Sequence, residues 1–112
     1  DIGGVEKNAA GSIDIFTFKD QKKFMEEVYN KGGINTISWH ADNPKTGKDA
    51  WNKNEVLGTV TSILPGNVNH KKFKLWLDKV AENLLSPKGK DGKNVPLLFR
   101  PYHELTGDWF WW

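Results

Sequence analysis

The spacing of apolar residues is most regular between residues 70 and 85, where it predicts an amphipathic helix. The apolar side chains recur at the three- and four-residue intervals that place them on one helix face. They are Phe73, Trp76, Leu77, Val80, Ala81 and Leu84. Asn69 precedes this pattern and can cap the helix, whereas Pro87 and Gly89 end it before the next apolar run.

A shorter helix and a strand are predicted upstream. Residues 1–12 are Gly-rich without periodicity and predict a loop, and residues 13–16 form at most a short extended segment. Asp20 can cap a helix that starts at Gln21 and ends at the glycines of residues 31–33. The apolar stripe of this helix consists of Phe24, Met25, Val28 and Tyr29.

Residues 34–40 are β-branched and aromatic and predict a strand. Alternation places Thr36, Ser38 and His40 on one face, with Asn35, Ile37 and Trp39 on the other. In a closed barrel of parallel strands, the polar face would point inward and bring His40 to the rim.

The end of the chain combines a second predicted strand with polar side chains. Val95, Leu97, Leu98 and Phe99 form an apolar run, and it is followed directly by Arg100, Tyr102, His103 and Glu104. Parallel strands that are buried on both faces have continuous apolar runs, and barrel enzymes place their reactive groups at the carboxyl end. The alternation of helices and strands therefore predicts an α/β fold with a parallel sheet.

A polar connection joins the two predicted units. Residues 41–58 form a long loop, and a short apolar run at residues 60–64 ends at Pro65 and Gly66. Loops of this length in compact domains are usually functional or disordered. Trp51 lies inside the loop and favours a function, because a disordered loop has little use for tryptophan.

Composition excludes several classes of function. The 16 basic and 14 acidic residues are interspersed and give a net charge of +2, which argues against nucleic-acid binding. No cysteine is present, so disulfides and thiolate metal sites are excluded, and no apolar run approaches the roughly 18 residues of a membrane span. Six tryptophans and six phenylalanines favour carbohydrate recognition, because aromatic rings stack on sugar faces.

The size of the chain allows one domain at most. Its 112 residues begin at Asp1 without a methionine and end in an aromatic cluster. We therefore expect a fragment that is cut at both ends, with residues 1–112 belonging to a single domain.

Glu104 is the first candidate for a catalytic residue. It follows a predicted strand beside His103 and near tryptophans that can exclude water. Desolvation would raise the pKa of its carboxyl group and keep it protonated near neutral pH as a general acid. The alternative is a structural carboxylate that is paired with Arg100.

The histidines and tryptophans around Glu104 support two further interpretations. His40 and His103 lack the spacing of a zinc site, and we expect no metal and no cofactor. Either histidine can hydrogen-bond a ligand hydroxyl or Glu104, or be a satisfied core residue. Trp109, Trp111 and Trp112 predict a platform for a sugar ring, although at least one is expected to be core packing.

Residues 98–112 resemble the signature of glycoside hydrolase family 26, the retaining β-mannanases of a large (β/α)8 clan. The matching pattern is Phe-Arg-Pro-x-His-Glu-x-x-Gly-x-Trp-Phe-Trp-Trp. Residues 37–44 and 63–85 are similar to the family segments before this signature, and residues 1–4 are similar to those just after barrel strand 2. The resemblance implies a partial TIM barrel covering roughly strands 3 and 4, because a whole barrel takes about 250 residues.

The resemblance also implies a role for each matching residue. Glu104 would be the acid/base at the end of strand 4, with His103 beside it to organise the site. His40 would bind sugar around the cleavage point, and Trp109 would line that point. Substrate-binding roles are also expected for Trp51, Arg100 and Tyr102, with Arg100 ordering the carboxylates.

The family's nucleophile, a glutamate from strand 7, is missing from this sequence. A retaining glycosidase needs two carboxyl groups about 5–5.5 Å apart. Glu55 and Glu82 lie on a predicted loop and a predicted helix exterior, in the wrong place for this role. The chain therefore needs the remainder of its own barrel, and in isolation we expect it to be inactive.

The resulting prediction is an endo-β-1,4-mannanase that hydrolyses mannan or glucomannan with retention of configuration. Related sequences act on mixed-linked glucan or β-1,3-xylan, so a different β-glycan is one alternative. A non-catalytic carbohydrate-binding module is the other, although such modules are usually β-sandwiches. The resemblance implies a secreted, periplasmic or cell-surface enzyme.

Overall fold

The structure is a computed structural model that describes residues 1–53 and 57–112. These residues form a short 3₁₀ turn, three α-helices and two β-strands. In chain order they are the turn Val5–Lys7, α1 (Phe18–Asn30), β1 (Asn35–Ser38), α2 (Thr59–Ile63), α3 (His70–Leu85) and β2 (Leu97–Arg100).

The two strands lie side by side and run parallel, as the sequence predicts. Their register pairs Asn35 with Leu97 and Ser38 with Arg100. Parallel neighbours require a long crossover connection, and here that connection contains α2 and α3. Both strands are shorter than predicted, because β1 ends two residues before His40 and β2 begins at Leu97.

The buried face of the strand pair forms the core against α3. Trp39, just after β1, is fully buried. Its ring stacks between Phe73 of α3 and Phe99 of β2, at centroid distances of 5.8 Å and 6.4 Å. Offset stacking of this kind adds to the hydrophobic gain of burying three large rings. The predicted division of β1 into an apolar and a polar row is therefore confirmed on the apolar side.

Helix α3 has the predicted bounds and the predicted N-cap residue, but the capping hydrogen bond is not formed. Asn69 occupies the N-cap position without a capping side-chain bond. Its Nδ2 instead donates to Ser62 Oγ at 3.0 Å, which ties the start of α3 to α2. The regular apolar spacing is enough to define this helix, because burial of Phe73 and Val80 stabilises it without the cap.

Helix α1 begins three residues before the predicted start, and Asp20 is not its cap. Thr17 is the N-cap residue, and its Oγ1 accepts the Asp20 backbone N–H at 3.0 Å. Thr17 Oγ1 also donates to the Asp20 carboxylate at 2.6 Å, so the two residues form a reciprocal pair. The predicted stripe is buried at Met25, whereas Phe24 and Val28 stay partly exposed.

The N-terminal residues are ordered beside β1. Ile2 is fully buried, and its backbone N–H donates to Ser38 O at 3.1 Å. Residues 13–16 form a turn that is closed by the Gly11–Thr17 bridge and are not extended. The predicted loop over residues 1–12 thus contains the 3₁₀ turn and one of the most buried side chains of the core.

The described part of the long loop is organised by Asn43. Its Oδ1 accepts the backbone N–H groups of Lys45 and Thr46, and its Nδ2 donates to Asn52 O at 3.0 Å. The apolar run after the loop is helix α2. The prediction for Glu55 lies outside the described residues.

A buried carboxylate joins the 3₁₀ turn to the core. Glu6 is only 2% exposed. Its Oε2 accepts N–H groups of Gly4 and Trp39, at 3.0 Å and 3.1 Å, and its Oε1 accepts the Asp42 backbone N–H at 3.0 Å. Hydrogen-bond donors therefore face both oxygens of the Glu6 side chain.

Replacing Glu6 by glutamine is expected to lower the free energy of unfolding by about 1.5–3 kcal/mol, the cost of losing a hydrogen bond to a charged group. The amide must turn its own NH₂ towards at least one N–H donor. Urea denaturation of the protein measures the effect. Glu82→Gln, on the exposed side of α3, is the matched control and should change stability by less than about 0.5 kcal/mol. Equal losses in the two variants would contradict the structural role of Glu6.

One edge of the strand pair is open. Within residues 1–53 and 57–112, β2 pairs with β1 alone, and Leu98 on β2 is exposed. At the other edge, the N-terminal segment lies beside β1, and its Ile2 N–H donates a hydrogen bond to Ser38 O. Parallel strands with helical crossovers do not fit a β-sandwich, so the fold argues against the alternative of a carbohydrate-binding module.

Candidate active site

The segments that follow β1 and β2 meet at the carboxyl-terminal end of the sheet. His40 lies two residues after β1, and His103 lies three residues after β2. Their Nε2 atoms are 3.2 Å apart. Parallel pairing places the carboxyl ends of both strands side by side, which accounts for the contact between the two histidines.

Glu104 adopts a strained backbone conformation at this end of the sheet. Its φ is 54°, in the left-handed region that non-glycine residues rarely adopt. A turn holds it there, because Glu104 O accepts the Gly107 N–H at 3.0 Å. Such conformations cost about 1–3 kcal/mol and concentrate at functional sites.

The carboxylate of Glu104 is oriented by a tryptophan. Trp109 Nε1 donates to Glu104 Oε2 at 2.8 Å. The residue is solvent-exposed, so the water exclusion that we predicted is not provided by the described residues. No ion pair among these residues joins Glu104 to Arg100, and the structural alternative is therefore not supported.

The two imidazoles lie in a partly buried environment. Burial lowers the pKa of His40, while the negative charges of Asp14 and Glu104 act in the opposite direction. Burial also lowers the pKa of His103; His40 and Arg100 act in the same direction, and the negative charge of Glu104 acts in the opposite direction. The lowered pKa values favour the neutral form of both rings at pH 7, in which each ring offers one N–H donor and one acceptor nitrogen.

Aromatic rings surround the histidine pair. Trp51, from the long loop, stacks on His40 with centroids 4.9 Å apart and planes inclined by 16°. Phe110 packs against both histidines, at 5.0 Å and 5.3 Å. Trp51 and Trp109 are 48% and 45% exposed and can offer ring surface to a ligand.

The expectation that at least one of the three C-terminal tryptophans packs in the core is confirmed. Trp111 is a core residue, since it is 3% exposed and its Nε1 donates to Ala41 O at 2.9 Å. Trp112 is partly buried and donates to His103 O at 3.1 Å, which fixes the segment that carries the histidine. Trp109 is the member of the three that faces the site.

Arg100 and Tyr102 line the same surface depression as His103 and Glu104. Arg100 is exposed at the end of β2. Tyr102 packs against Trp111 and Trp112 at 6.2 Å and 6.0 Å, and burial raises the pKa of its phenol. The hydroxyl is therefore neutral at pH 7, which suits it to hydrogen bonding rather than to ionic contacts.

Sequence reasoning missed three residues of the site. Asp1 binds His40 through Nδ1 at 2.9 Å, Phe110 packs on both imidazoles, and Gly107 closes the Glu104 turn. Phe110 and Gly107 lie within the signature, but no spacing rule assigns them a function. Asp1 is 39 positions before His40, and only the fold brings the two together.

Gly107 is required for the position of Trp109. A β-carbon at residue 107 would overlap the Trp109 indole ring. We therefore expect Gly107→Ala to displace the indole and to break its hydrogen bond to Glu104. The indole N–H signal of Trp109 in proton–nitrogen NMR spectra should move away from the position typical of a carboxylate-bonded donor.

The control for this prediction is Gly66→Ala. Gly66 also lies in a turn, but a β-carbon there meets no atom within 4 Å. This control should leave the Trp109 signal in place. An unchanged signal in Gly107→Ala would show that the glycine does not set the position of the indole.

Residues 1–53 and 57–112 provide neither a metal-binding cluster nor a membrane-spanning helix. They contain no cluster of three or more His, Cys, Asp or Glu side chains that could hold a metal ion. They also contain no helix with the length and apolar character that crossing a membrane requires.

Comparison with known proteins finds similarity to one family of glycosyl hydrolases. The sequence model described as "Glycosyl hydrolase family 26" matches residues 5–112. A mannan endo-1,4-beta-mannosidase of Bifidobacterium adolescentis is 36% identical over 111 residues, which is 99% of this chain and 11% of that protein. A Bacillus subtilis protein of the same name is 32% identical over 94% of this chain and 27% of its own length.

Solved structures show the same fold for this segment. A GH26 beta-mannanase from Bacteroides ovatus superposes with a TM-score of 0.93 and 42% identity, over 100% of this chain and 32% of that chain. A modular endo-beta-1,4-mannanase from Cellulomonas fimi gives 0.76 and 29%, over 98% of this chain and 25% of that chain. The sequence thus spans about a third or less of each of these relatives.

Proposed function

The chain belongs to glycosyl hydrolase family 26, and we propose from this that it is part of the catalytic domain of a retaining endo-β-1,4-mannanase. The observation that carries the proposal is the hydrogen-bonded pair of Glu104 and Trp109, located at the carboxyl ends of two parallel strands beside His40 and His103. The named relatives are mannan endo-1,4-beta-mannosidases, which supports mannan or glucomannan as the substrate.

We propose that residues 1–112 form less than half of a (β/α)8 barrel, the catalytic domain of a longer enzyme. Three observations support this. The open edge of β2 offers backbone groups to a further strand. Phe16 and Phe24 leave apolar surface beside α1. A complete barrel takes about 250 residues, more than twice the present number.

In the proposed reaction, Glu104 first acts as the general acid and then as the general base. Trp109 holds Oε2 at 2.8 Å, and we assign proton transfer to Oε1. In the first step, the Glu104 proton passes to the glycosidic oxygen as a carboxylate nucleophile attacks the anomeric carbon. In the second step, Glu104 takes a proton from the water that releases the sugar.

The second carboxylate must come from another part of the barrel. Glu82 lies on the exposed side of α3, away from the site, and Glu55 lies outside the described residues. The other barrel elements and the bound sugar are also the groups that would cover Glu104 and exclude water from it.

The remaining side chains of the site are proposed to bind the polysaccharide. Trp51 and Trp109 offer half-exposed rings for stacking on sugar faces. His40 and His103 can hydrogen-bond sugar hydroxyls as neutral rings. Arg100 is proposed to order the carboxylates, and Tyr102 to donate a hydrogen bond to the substrate.

The proposal is tested with the full-length enzyme, meaning the longer protein that contains residues 1–112. Linear mannan, mixed-linked glucan and β-1,3-xylan are supplied in parallel, and the first-formed anomer is identified by proton NMR. We expect mannan to be hydrolysed fastest, with the β-anomer formed first and a rapid fall in viscosity that indicates endo action. Preference for either other polymer would overturn the mannan assignment, and a first-formed α-anomer would overturn the retaining mechanism.

The isolated chain of residues 1–112 provides a negative control, because the proposed nucleophile comes from another part of the barrel, and this chain alone should not hydrolyse mannan. We further propose a secreted, periplasmic or cell-surface location, since a polymeric substrate does not cross a membrane. Activity that is confined to the cytoplasmic fraction of the producing cells would contradict that location.

A further inference from the structure

We propose that Asp1 is a positioning residue, which fixes His40 as the tautomer protonated on Nδ1 and, through it, His103 as the tautomer protonated on Nε2. This inference rests on the proposed function in one respect, namely that the two histidines contact the reacting sugar. The tautomers themselves are a property of the protein alone.

The Asp1 carboxylate is held in place by several donors. Its Oδ1 accepts the Gly3 backbone N–H at 2.6 Å, and its Oδ2 accepts the Ser38 hydroxyl at 2.8 Å. The side chain is only 5% exposed. An ionised carboxylate is an acceptor only, so the contact of 2.9 Å between Oδ2 and His40 Nδ1 requires a proton on that nitrogen.

The His40 ring passes this constraint to His103. Once Nδ1 of a neutral His40 carries the proton, its Nε2 is an acceptor. His103 Nε2 is 3.2 Å away and must then be the donor. The opposite tautomer of His40 would place two N–H groups against each other at this distance, which is repulsive.

The second nitrogen of His103 supports the same assignment. His103 Nδ1 is buried and has no hydrogen-bond partner among the described residues. In the proposed arrangement this atom is a lone-pair acceptor, whereas the opposite arrangement would leave a buried N–H donor unpaired. Unpaired buried donors are rare, so the first arrangement is favoured.

The consequence for the site is a defined pattern of donors and acceptors beside Glu104. Trp51 and Phe110 confine the His40 ring on its faces and edge, so the ring cannot turn freely to exchange its nitrogens. Asp1 therefore acts on the reaction through His40 and His103 rather than by touching the sugar.

The test uses nitrogen-15-labelled full-length enzyme and long-range proton–nitrogen NMR spectra, which distinguish protonated from unprotonated imidazole nitrogens. In the unmodified enzyme at pH 7, we expect His40 to be protonated on Nδ1 only and His103 on Nε2 only. A His40 protonated on Nε2, or on both nitrogens, would overturn the proposal without any variant.

The variant Asp1→Asn extends the test to the relay. Its amide can donate to His40 Nδ1, so we expect His40 to change to the Nε2–H tautomer and His103 to Nδ1–H. The control is Asp14→Asn, which removes a charge that acts on His40 and keeps a side-chain oxygen for the 3.0 Å contact with Asp1 N. This control should leave both tautomers unchanged. The same tautomer change in both variants would show that charge, not the hydrogen bond of Asp1, sets the arrangement.

Kinetics then separate positioning from general damage. We expect Asp1→Asn to lower kcat/KM for mannan by about tenfold, with thermal unfolding near that of the parent, and Asp14→Asn to change it less than about twofold. A changed tautomer with unchanged kcat/KM would overturn the role of Asp1 in the reaction. Because the NMR result does not depend on the substrate, failure of the mannan assignment remains distinguishable from failure of this proposal.

Discussion

Replacing Glu104 by alanine in the full-length enzyme is expected to lower kcat/KM for mannan by about 10³-fold, within the range that positioned acid–base groups contribute. The sugar leaving group of mannan is a poor one and needs a proton as the glycosidic bond breaks. In an aryl mannoside with an acidic phenol, the phenolate leaves without needing that proton. Formation of the glycosyl-enzyme from this substrate should therefore be impaired much less. Stopped-flow measurement of the phenol burst compares the two substrates.

Azide gives a second measurement on the same variant. Water needs Glu104 as a base in the second step, whereas azide is already an anion and attacks the anomeric carbon without one. Azide should therefore accelerate turnover of the aryl mannoside and yield a β-mannosyl azide. Glu82→Ala on the exposed side of α3 is the control and should behave like the parent enzyme. Equal and small losses of Glu104→Ala on both substrates would exclude Glu104 as the acid/base residue.

The His40→Ala variant is expected to lower kcat/KM for mannan by about 10²-fold, the effect of misplacing groups near the reacting centre by about 1 Å. His40 contacts Asp1 and His103 through its two nitrogens, and its ring supports Trp51. Removal of the ring leaves His103 without its partner and Trp51 without its stacking surface. Both KM and kcat should therefore change, which steady-state kinetics with a manno-oligosaccharide will show.

His70→Ala is the matched control for this variant. His70 begins α3, and its Nδ1 contacts Ile63 O at 2.9 Å rather than any residue of the site. Its removal should affect stability more than kcat/KM. If His40→Ala and His70→Ala lowered kcat/KM equally, the loss would come from the fold and not from the position of His40 in the site.

Strong local patterns made much of the fold predictable. Helix α3 has the predicted bounds because six apolar residues repeat at helical spacing. The parallel pairing of β1 and β2 follows from the alternation of helices and strands, and it accounts for the meeting of His40 and His103. These predictions depend on local patterns in short stretches of sequence, and tertiary packing agrees with those patterns.

The sequence predicts the wrong residue, or leaves the choice open, where neighbouring residues have similar chemistry. Thr17 and Asp20 are both good capping residues, and the pair resolves as a reciprocal motif only once α1 is formed. Trp111 and Trp109 are two positions apart and identical in type, yet one fills the core and the other faces the site. Sequence spacing does not distinguish such cases, because the difference is set by tertiary packing.

Two properties of the site depend on contacts that the sequence pattern does not contain. The link between Asp1 and His40 arises because the N-terminal segment lies beside β1, a pairing that no local signal indicates. The exposure of Glu104 reflects the number of neighbouring elements within residues 1–112. Water exclusion is a property of a completed cavity, and one strand end cannot determine it.

The open edge of β2 affects how the isolated chain behaves in solution. Unpaired backbone groups along a strand that also exposes Leu98 can template pairing with a second molecule. Residues 1–112 produced alone should therefore self-associate in a concentration-dependent way, visible as growing light scattering. A lysine in place of Leu98 should reduce the scattering, since charged side chains protect natural sheet edges from aggregation.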